Sequence, residues 1–301
     1  MQEKRNIRLF IVLVVMIAIT TLTYFLINRE SGSLVDKSLF RIDSKKTDRV
    51  EIVSKNGTVT LRVDNGKWKV NDLYNADLNM IEVLFATIDQ IEPKRQVSSA
   101  LKDSISQLLQ SEGSTVRFFE KENLQLEFQA GGNARKTEAW FQRTDEMSPY
   151  VMVIPGYRVY ASGIFELDVH GWRNKRVFDF NWRNFKSLEM TVTKDPSQGF
   201  LISMQGNSFG VEGIAKSDTT KLNDYLDAVS LLVGDQFISP GYSIKYDSLM
   251  KTVSSFSIEV RDIASRTYTL KVYPPLKNDE NILAKLGDSE FILINRAKVI
   301  P

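Results

Sequence analysis

Residues 9–27 form an apolar run that contains no charged residue, glycine or proline. As an α-helix that rises about 1.5 Å per residue, this run spans roughly 28 Å, close to the roughly 30 Å hydrocarbon core of a bilayer. The run therefore predicts a single transmembrane helix from Leu9 to Ile27. Such a helix restricts the remaining chain to one large domain on one side of a membrane.

The short N-terminal flank carries Lys4, Arg5 and Arg8 against Glu3. Because basic residues are retained on the cytoplasmic side, residues 1–8 are predicted to be a cytoplasmic tail and residues 28–37 a linker. We therefore expect a single-pass protein of the inner (cytoplasmic) membrane with a periplasmic C-terminal domain. A cleaved signal peptide is the alternative, but its apolar core is typically only about 7–15 residues long.

Composition excludes several classes of function. The chain has no cysteine, so it forms no disulfide and offers no thiolate metal ligand and no lipoprotein acylation site. It contains 39 basic and 37 acidic residues, of which three and one lie in residues 1–28, so 36 of each remain beyond them. A nucleic-acid partner is not expected, because its recognition needs a surplus of basic residues.

The chain repeats one pattern at an offset of about 140 residues. Residues 49–70 alternate like strands around an Asn56-Gly57 turn, and residues 76–91 follow with helical periodicity. In the second half, residues 187–213 again resemble two strands and residues 217–234 a helix. After a short polar connector, each half continues with the predicted hairpins 115–128 and 255–272 and the predicted closing strands 150–154, 157–160, 291–294 and 296–300.

The predicted fold class is therefore α+β, with the N-terminal transmembrane helix followed by two tandem, similar modules. The predicted modules are residues 38–160 and 187–301, joined by a linker, residues 161–186. Five successive elements keep the same order in both halves, which favours internal duplication. Chance similarity between two α+β domains is the alternative.

The linker 161–186 holds the densest mixture of aromatic and basic residues in the chain. Trp and Arg are enriched where protein interfaces bind most strongly, so this surface is a candidate for partner binding. In two alternatives, the aromatic rings fill the space between the modules, or the segment rests on lipid. The candidate partner-binding residues are Trp172, Arg173, Arg176, Trp182 and Arg183.

No catalytic, metal or cofactor-binding residue is predicted. His170 is the single histidine, its nearest carboxylate is Asp168 two residues away, and no G-x-S-x-G nucleophile motif occurs. Zinc would need several histidine or cysteine ligands. Gly131-Gly132 is interpreted as a turn between strands, since it lacks the flanking residues of a phosphate-binding loop.

The sequence resembles the domain of unknown function 4340 family. The matching features are GKWKV at 66–70, ADLNMIEVLFATI at 76–88, the strand–turn–strand pattern at 150–160 and WRNKR at 172–176. The resemblance implies a short cytoplasmic tail, one N-terminal helix and paired αβ modules. It also implies a bacterial envelope context, because such proteins are often encoded beside ABC-type transporter subunits and auxiliary proteins of the gliding-motility type.

These observations predict an accessory or scaffold protein that is not an enzyme and that binds partner proteins of an envelope complex. Two other classes stay open. One is a periplasmic glycan-acting enzyme, which would need two carboxylates brought together by the fold. The other is a sensor module that binds a small ligand.

Overall fold

This computed structural model describes residues 12–23, 35–181, 183–205 and 208–299. They contain two antiparallel β-sheets and six α-helices. The fold is α+β. These residues divide into two compact units. Unit 1 comprises the described residues up to Thr60 and Glu82–Glu166, and unit 2 comprises Leu61–Ile81 and the described residues from Leu167 onward. The predicted module boundaries stay a prediction.

Helix α1 comprises residues 12–23 of the predicted transmembrane segment. Residues 9–11 and 24–27 of that segment lie outside the described residues, as do the predicted tail 1–8 and residues 28–34 of the linker. Within the described ranges, no helix combines the length and the apolar character needed to cross a bilayer.

The first sheet has nine strands, and two helices accompany it. The elements are β1 Arg49–Ser54, β2 Gly57–Asp64, β3 Lys67–Val70, β4 Tyr74–Asn75, α2 Leu78–Gln90, β5 Glu92–Gln96, α3 Ser99–Glu112, β6 Ser114–Glu120, β7 Asn123–Gly132, β8 Ala139–Arg143 and β9 Tyr150–Val153. The strand order is β4-β3-β2-β1-β6-β7-β8-β9-β5. The pairs β1–β6, β2–β3, β3–β4, β5–β9, β6–β7, β7–β8 and β8–β9 are antiparallel.

The second sheet has eight strands and follows a 3-10 helix, Ala161–Glu166, and a short helix α4, Val169–Trp172. The elements are β10 Phe185–Val192, β11 Phe200–Gln205, β12 Ser208–Val211, α5 Thr219–Ser230, β13 Gln236–Ile238, α6 Ile244–Met250, β14 Phe256–Asp262, β15 Thr267–Val272, β16 Asn281–Leu286 and β17 Glu290–Asn295. The strand order is β12-β11-β10-β14-β15-β16-β17-β13.

Apart from β4, the two sheets have the same strand order. The chain enters the middle of each sheet, forms three antiparallel strands, crosses through a helix to the far edge, and returns through a second helix to the middle. Equivalent elements lie about 140 residues apart: α2 and α5 begin at Leu78 and Thr219, and β6 and β14 begin at Ser114 and Phe256.

In unit 2, both faces of the sheet are buried. Ile292 and Ile294 of β17 belong to the apolar cluster that contains Leu226 of α5. The intervening Leu293 belongs to a second cluster with Tyr246 of α6. Because successive strand residues point to opposite faces, α5 and α6 cover opposite faces of this sheet.

Unit 1 shows the same alternation. An aromatic cluster fills one face of its sheet, with Phe128 stacked on Phe141 at 4.7 Å and packed edge-on to Phe40 and Phe165 at 5.6 and 5.5 Å. Helix α3 contributes a separate apolar cluster with Trp140 and Val151. Aromatic pairs in these geometries add to the free energy gained by burial of their area.

The predicted short polar connectors were wrong, because the chain there forms the edge strands β5 and β13 and the helices α3 and α6. Helix α3 buries only Ile105 and Leu109 of its fourteen residues. Its apolar stripe is therefore too sparse to predict a helix from periodicity.

Two predicted closing strands were also wrong. Residues 157–160 form no strand, and Arg296–Lys298 is a 3-10 helix capped by the side chain of Asn295. Gly131-Gly132 is not a turn but the end of β7, paired with Trp140 and Ala139 of β8. Tyr160, which lies in the loop after β9, approaches Gly132 so closely that a Cβ there would collide with its ring. This position therefore requires glycine.

The aromatic cluster of unit 1 should dominate its stability. Phe128 is fully buried, so we expect Phe128→Ala to lower the free energy of unfolding by about 3–5 kcal/mol. Leu124→Ala is the matched control on the same strand, because Leu124 is 49% exposed and should change stability by less than about 0.5 kcal/mol. Chemical unfolding monitored by circular dichroism measures both, and equal losses would contradict this role of the cluster.

Candidate functional site

The segment from Trp172 to Val177 connects α4 to the second sheet and is bonded on two sides within unit 2. Trp172 O accepts from Asp77 N at 2.8 Å, and Asn174 N donates to Asn75 O at 2.9 Å. Arg173 forms an isolated antiparallel bridge with Ala76, and Arg176 forms one with Val233. The backbone of the aromatic and basic linker is thereby fixed next to β4 and next to the residues that follow α5.

Helix α4 sets the direction of the side chains in this segment. The carboxylate of Asp168 caps the helix by accepting from Gly171 N at 2.9 Å. Trp172, the last residue of this helix, is completely buried. Asp168 therefore acts as a helix cap, which accounts for its position two residues before His170.

Arg173 is the central side chain of the site. It is 5% exposed, and its guanidinium carbon lies 3.6 Å from the ring centroid of Tyr74 and 3.9 Å from that of Phe237. Its Nη2 donates to Glu290 Oε1 at 2.7 Å. Two aromatic faces and one carboxylate thus compensate a buried positive charge, which would otherwise be costly to remove from water.

Buried polar atoms without a partner concentrate beside Arg173. Six such side-chain atoms occur among the described residues, and three of them lie in residues 170–173: His170 Nδ1, Trp172 Nε1 and Arg173 Nε. The His170 ring stacks on Phe237 with centroids 5.9 Å apart. Because buried polar groups are nearly always hydrogen-bonded, this concentration marks the site as unusual.

Two cavities border Arg173. The smaller has a volume of about 220 Å³ and is lined by His170, Tyr74 and Ser239, among others. The larger has a volume of about 390 Å³ and a polar wall that includes Arg176, Thr267 and Ser289. The larger volume is within the roughly 300–1,000 Å³ range of small-molecule sites.

The structure separates the five candidate partner-binding residues. Trp172 and Arg173 are buried, so their side chains pack inside unit 2. Arg176 and Arg183 are exposed, and Trp182 lies outside the described residues. No local sequence pattern pointed to Tyr74, Phe237 and Glu290, because each comes from a different element and only the tertiary fold brings them to Arg173.

Several polar and charged groups of different chemistry meet at this site. It offers a fixed guanidinium, a carboxylate, an imidazole and several hydroxyl groups beside two open cavities. Among the described residues, no group of three or more His, Cys, Asp or Glu side chains is placed to hold a metal ion.

Replacement of Arg173 by lysine tests the two-ring packing. We expect Arg173→Lys to lower the free energy of unfolding by about 1–3 kcal/mol, because the lysine ammonium group is not planar and cannot stack on two rings as the guanidinium does. The exposed Arg176 offers the control Arg176→Lys, which should change stability by less than about 0.5 kcal/mol. Urea unfolding of both variants measures these changes in stability. An unfolding midpoint of Arg173→Lys equal to that of the wild type would refute the packing argument.

Comparison with known proteins identifies one family. The model of one family, Domain of unknown function (DUF4340), matches residues 68–248, which include Tyr74, the Trp172–Val177 segment and Phe237. A search of curated proteins and a search of solved structures each found no match. Since the family model covers more than half of the chain, the protein belongs to the DUF4340 family.

Proposed function

We propose that this protein is a single-pass, membrane-anchored periplasmic accessory protein that holds a duplicated binding domain at the inner membrane. Its partners would be proteins of an envelope complex, such as an ABC-type transporter assembly. Its role would be scaffolding, without catalysis of a reaction.

The exposed apolar surface of α1 is the observation that carries this proposal. The large apolar side chains between Val12 and Leu22 are each 49–62% exposed, on every side of the helix. A helix that is apolar all round is stable when it is enclosed by protein or by lipid. The continuing apolar residues 9–11 and 24–27 extend the segment to the length of a bilayer core.

The polar groups of α1 also fit a lipid environment. Each of its three threonine hydroxyls donates to the carbonyl four residues earlier: Thr20 to Met16 O at 2.8 Å, Thr21 to Ile17 O, and Thr23 to Ile19 O at 2.6 Å. These bonds satisfy the hydroxyl donors without water. The basic residues before the helix orient it with the N-terminus in the cytoplasm.

The shared strand order of the two sheets supports an internal duplication. Chance similarity would have to reproduce both helical crossings and the placement of both edge strands. A duplicated domain with a balanced charge gives two related surfaces for partner proteins. A membrane tether would raise the effective concentration of both surfaces near other membrane proteins.

Arg176 and Arg183 are the described candidate residues whose side chains can reach a partner. Both are exposed, and neither forms an ion pair within the described part of the chain. Arginine is enriched at protein interfaces because its planar guanidinium binds carboxylates and also stacks on aromatic rings. Trp172 and Arg173 support this surface from inside unit 2.

A small-ligand sensor is the second candidate function. The polar cavity of about 390 Å³ favours this alternative, because Arg173, whose buried Nε has no hydrogen-bond partner, forms part of its wall. For the glycan-acting enzyme, we see no comparable support within the described residues. There the one fully buried carboxylate, Asp262, is held by Arg266 at 2.6 Å.

The anchor is tested by charge insertion. We expect Ile17→Lys/Ile19→Lys to release the full chain from alkaline-washed membranes, because each lysine at a helix centre costs about 2.5–3.5 kcal/mol of insertion free energy. The matched control Ile244→Lys/Val253→Lys changes two side chains that are 86% and 71% exposed and should stay membrane-bound. Release of the wild-type chain by the same wash would refute the anchor.

The partner surface is tested by site-specific crosslinking in intact cells. A photoreactive amino acid at Arg176 or Arg183 should form adducts with integral membrane proteins, whereas one at the exposed Lys251 should not. The adducts should disappear in the Ile17→Lys/Ile19→Lys background. Identical adducts from all three positions would contradict a specific surface.

A further inference from the structure

An apolar cavity of about 420 Å³ opens between the β11–β12 hairpin and α5 in unit 2. Its walls include Phe200, Ile202, Val211 and Leu222, and the side chain of Ile214 at its border is 53% exposed. Apolar surface left in contact with water costs free energy in proportion to its area. A concave apolar surface of this size is therefore a candidate for a bound apolar group.

The first half of the chain closes the equivalent positions. Leu61 pairs with Val70 there as Ile202 pairs with Val211 here. Val70 is fully buried, whereas Val211 remains partly exposed. Strand β4 follows β3 in the first sheet, but exposed turn residues follow β12 in the second. The cavity is thus a difference between two otherwise equivalent hairpins.

Positive charge lies at the border of this cavity. Lys216 and Lys221 both line it, are exposed, and form no ion pair with any described residue. The nearby carboxylate of Asp218 is engaged as the cap of α5, since it accepts from Thr220 N at 3.1 Å and Lys221 N at 3.2 Å. The border of the cavity therefore carries two ammonium groups and one carboxylate, a net charge of +1, and neither ammonium group is paired with a described residue.

Tyr225 adds one hydrogen-bond donor to the wall. Its ring packs edge-on against Phe200 with centroids 5.9 Å apart, and its hydroxyl forms no hydrogen bond within the described residues. Burial raises the pKa of Tyr225, so the hydroxyl keeps its proton and can donate it to an acceptor.

We propose that this cavity binds a fatty acid, with its acyl chain between the β11–β12 hairpin and α5 and its carboxylate next to Lys216 and Lys221. An apolar wall with a cationic border matches an amphiphile that has one chain and an anionic head. A neutral apolar ligand would leave both lysines unused, and a cationic amphiphile would face a border with a net positive charge. This proposal stands independently of the scaffolding role.

The test uses the full chain in phosphatidylcholine nanodiscs and a palmitic acid probe that carries a diazirine in its chain. Peptide mapping should place the photoadduct on β11, β12 or α5, and unlabelled palmitate should compete. Lys216→Glu/Lys221→Glu should reduce labelling about three- to tenfold through the lost ionic contacts. The exposed pair Lys251→Glu/Lys277→Glu is the matched control and should label like the wild type.

A second variant tests the cavity itself without a change of charge. Val211→Phe fills the space beside Phe200 and should suppress labelling while a thermal melt shows that the protein is folded. Shorter competitors should bind about three- to fourfold more weakly for each methylene removed. Labelling confined to residues 9–27, labelling unchanged in both variants, or equal labelling by a diazirine probe with a trimethylammonium head would each overturn the proposal.

Discussion

Each sheet in this protein has two apolar faces, and the need to cover both determines the rest of the architecture. Ile292 and Ile294 point to the face covered by α5, while Leu293 points to the face covered by α6. A single helix between the strands could cover one face only. The chain therefore crosses to the far edge strand after the first helix and returns through the second, in both halves.

Arg173 shows how burial decides what a side chain is available to do. An arginine among aromatic residues has the composition of an interface, but this one has both faces of its guanidinium covered by rings and a bond to Glu290. It stabilises unit 2 from inside. The chemistry open to a partner or ligand lies around it, in the two cavities and on the exposed Arg176.

The two halves share a topology yet differ where a function could have diverged. The hairpin of the first half buries Val70 completely, whereas its counterpart leaves Val211 partly exposed beside an apolar cavity with two lysines. The short strand β4 follows the hairpin of the first half, whereas exposed turn residues follow β12. The fatty-acid site that we propose would therefore belong to the second half alone.

The sequence by itself determined the apolar segment 9–27, the α+β class, the repeat and the helices α2 and α5, because these depend on local periodicity. Helix α3 escaped prediction because it buries only two of its residues, and no local signal links Arg173 to Tyr74, Phe237 and Glu290. Those contacts join residues separated by up to 117 positions. Only tertiary structure could decide them, since burial and pairing of a side chain depend on which distant elements pack against it.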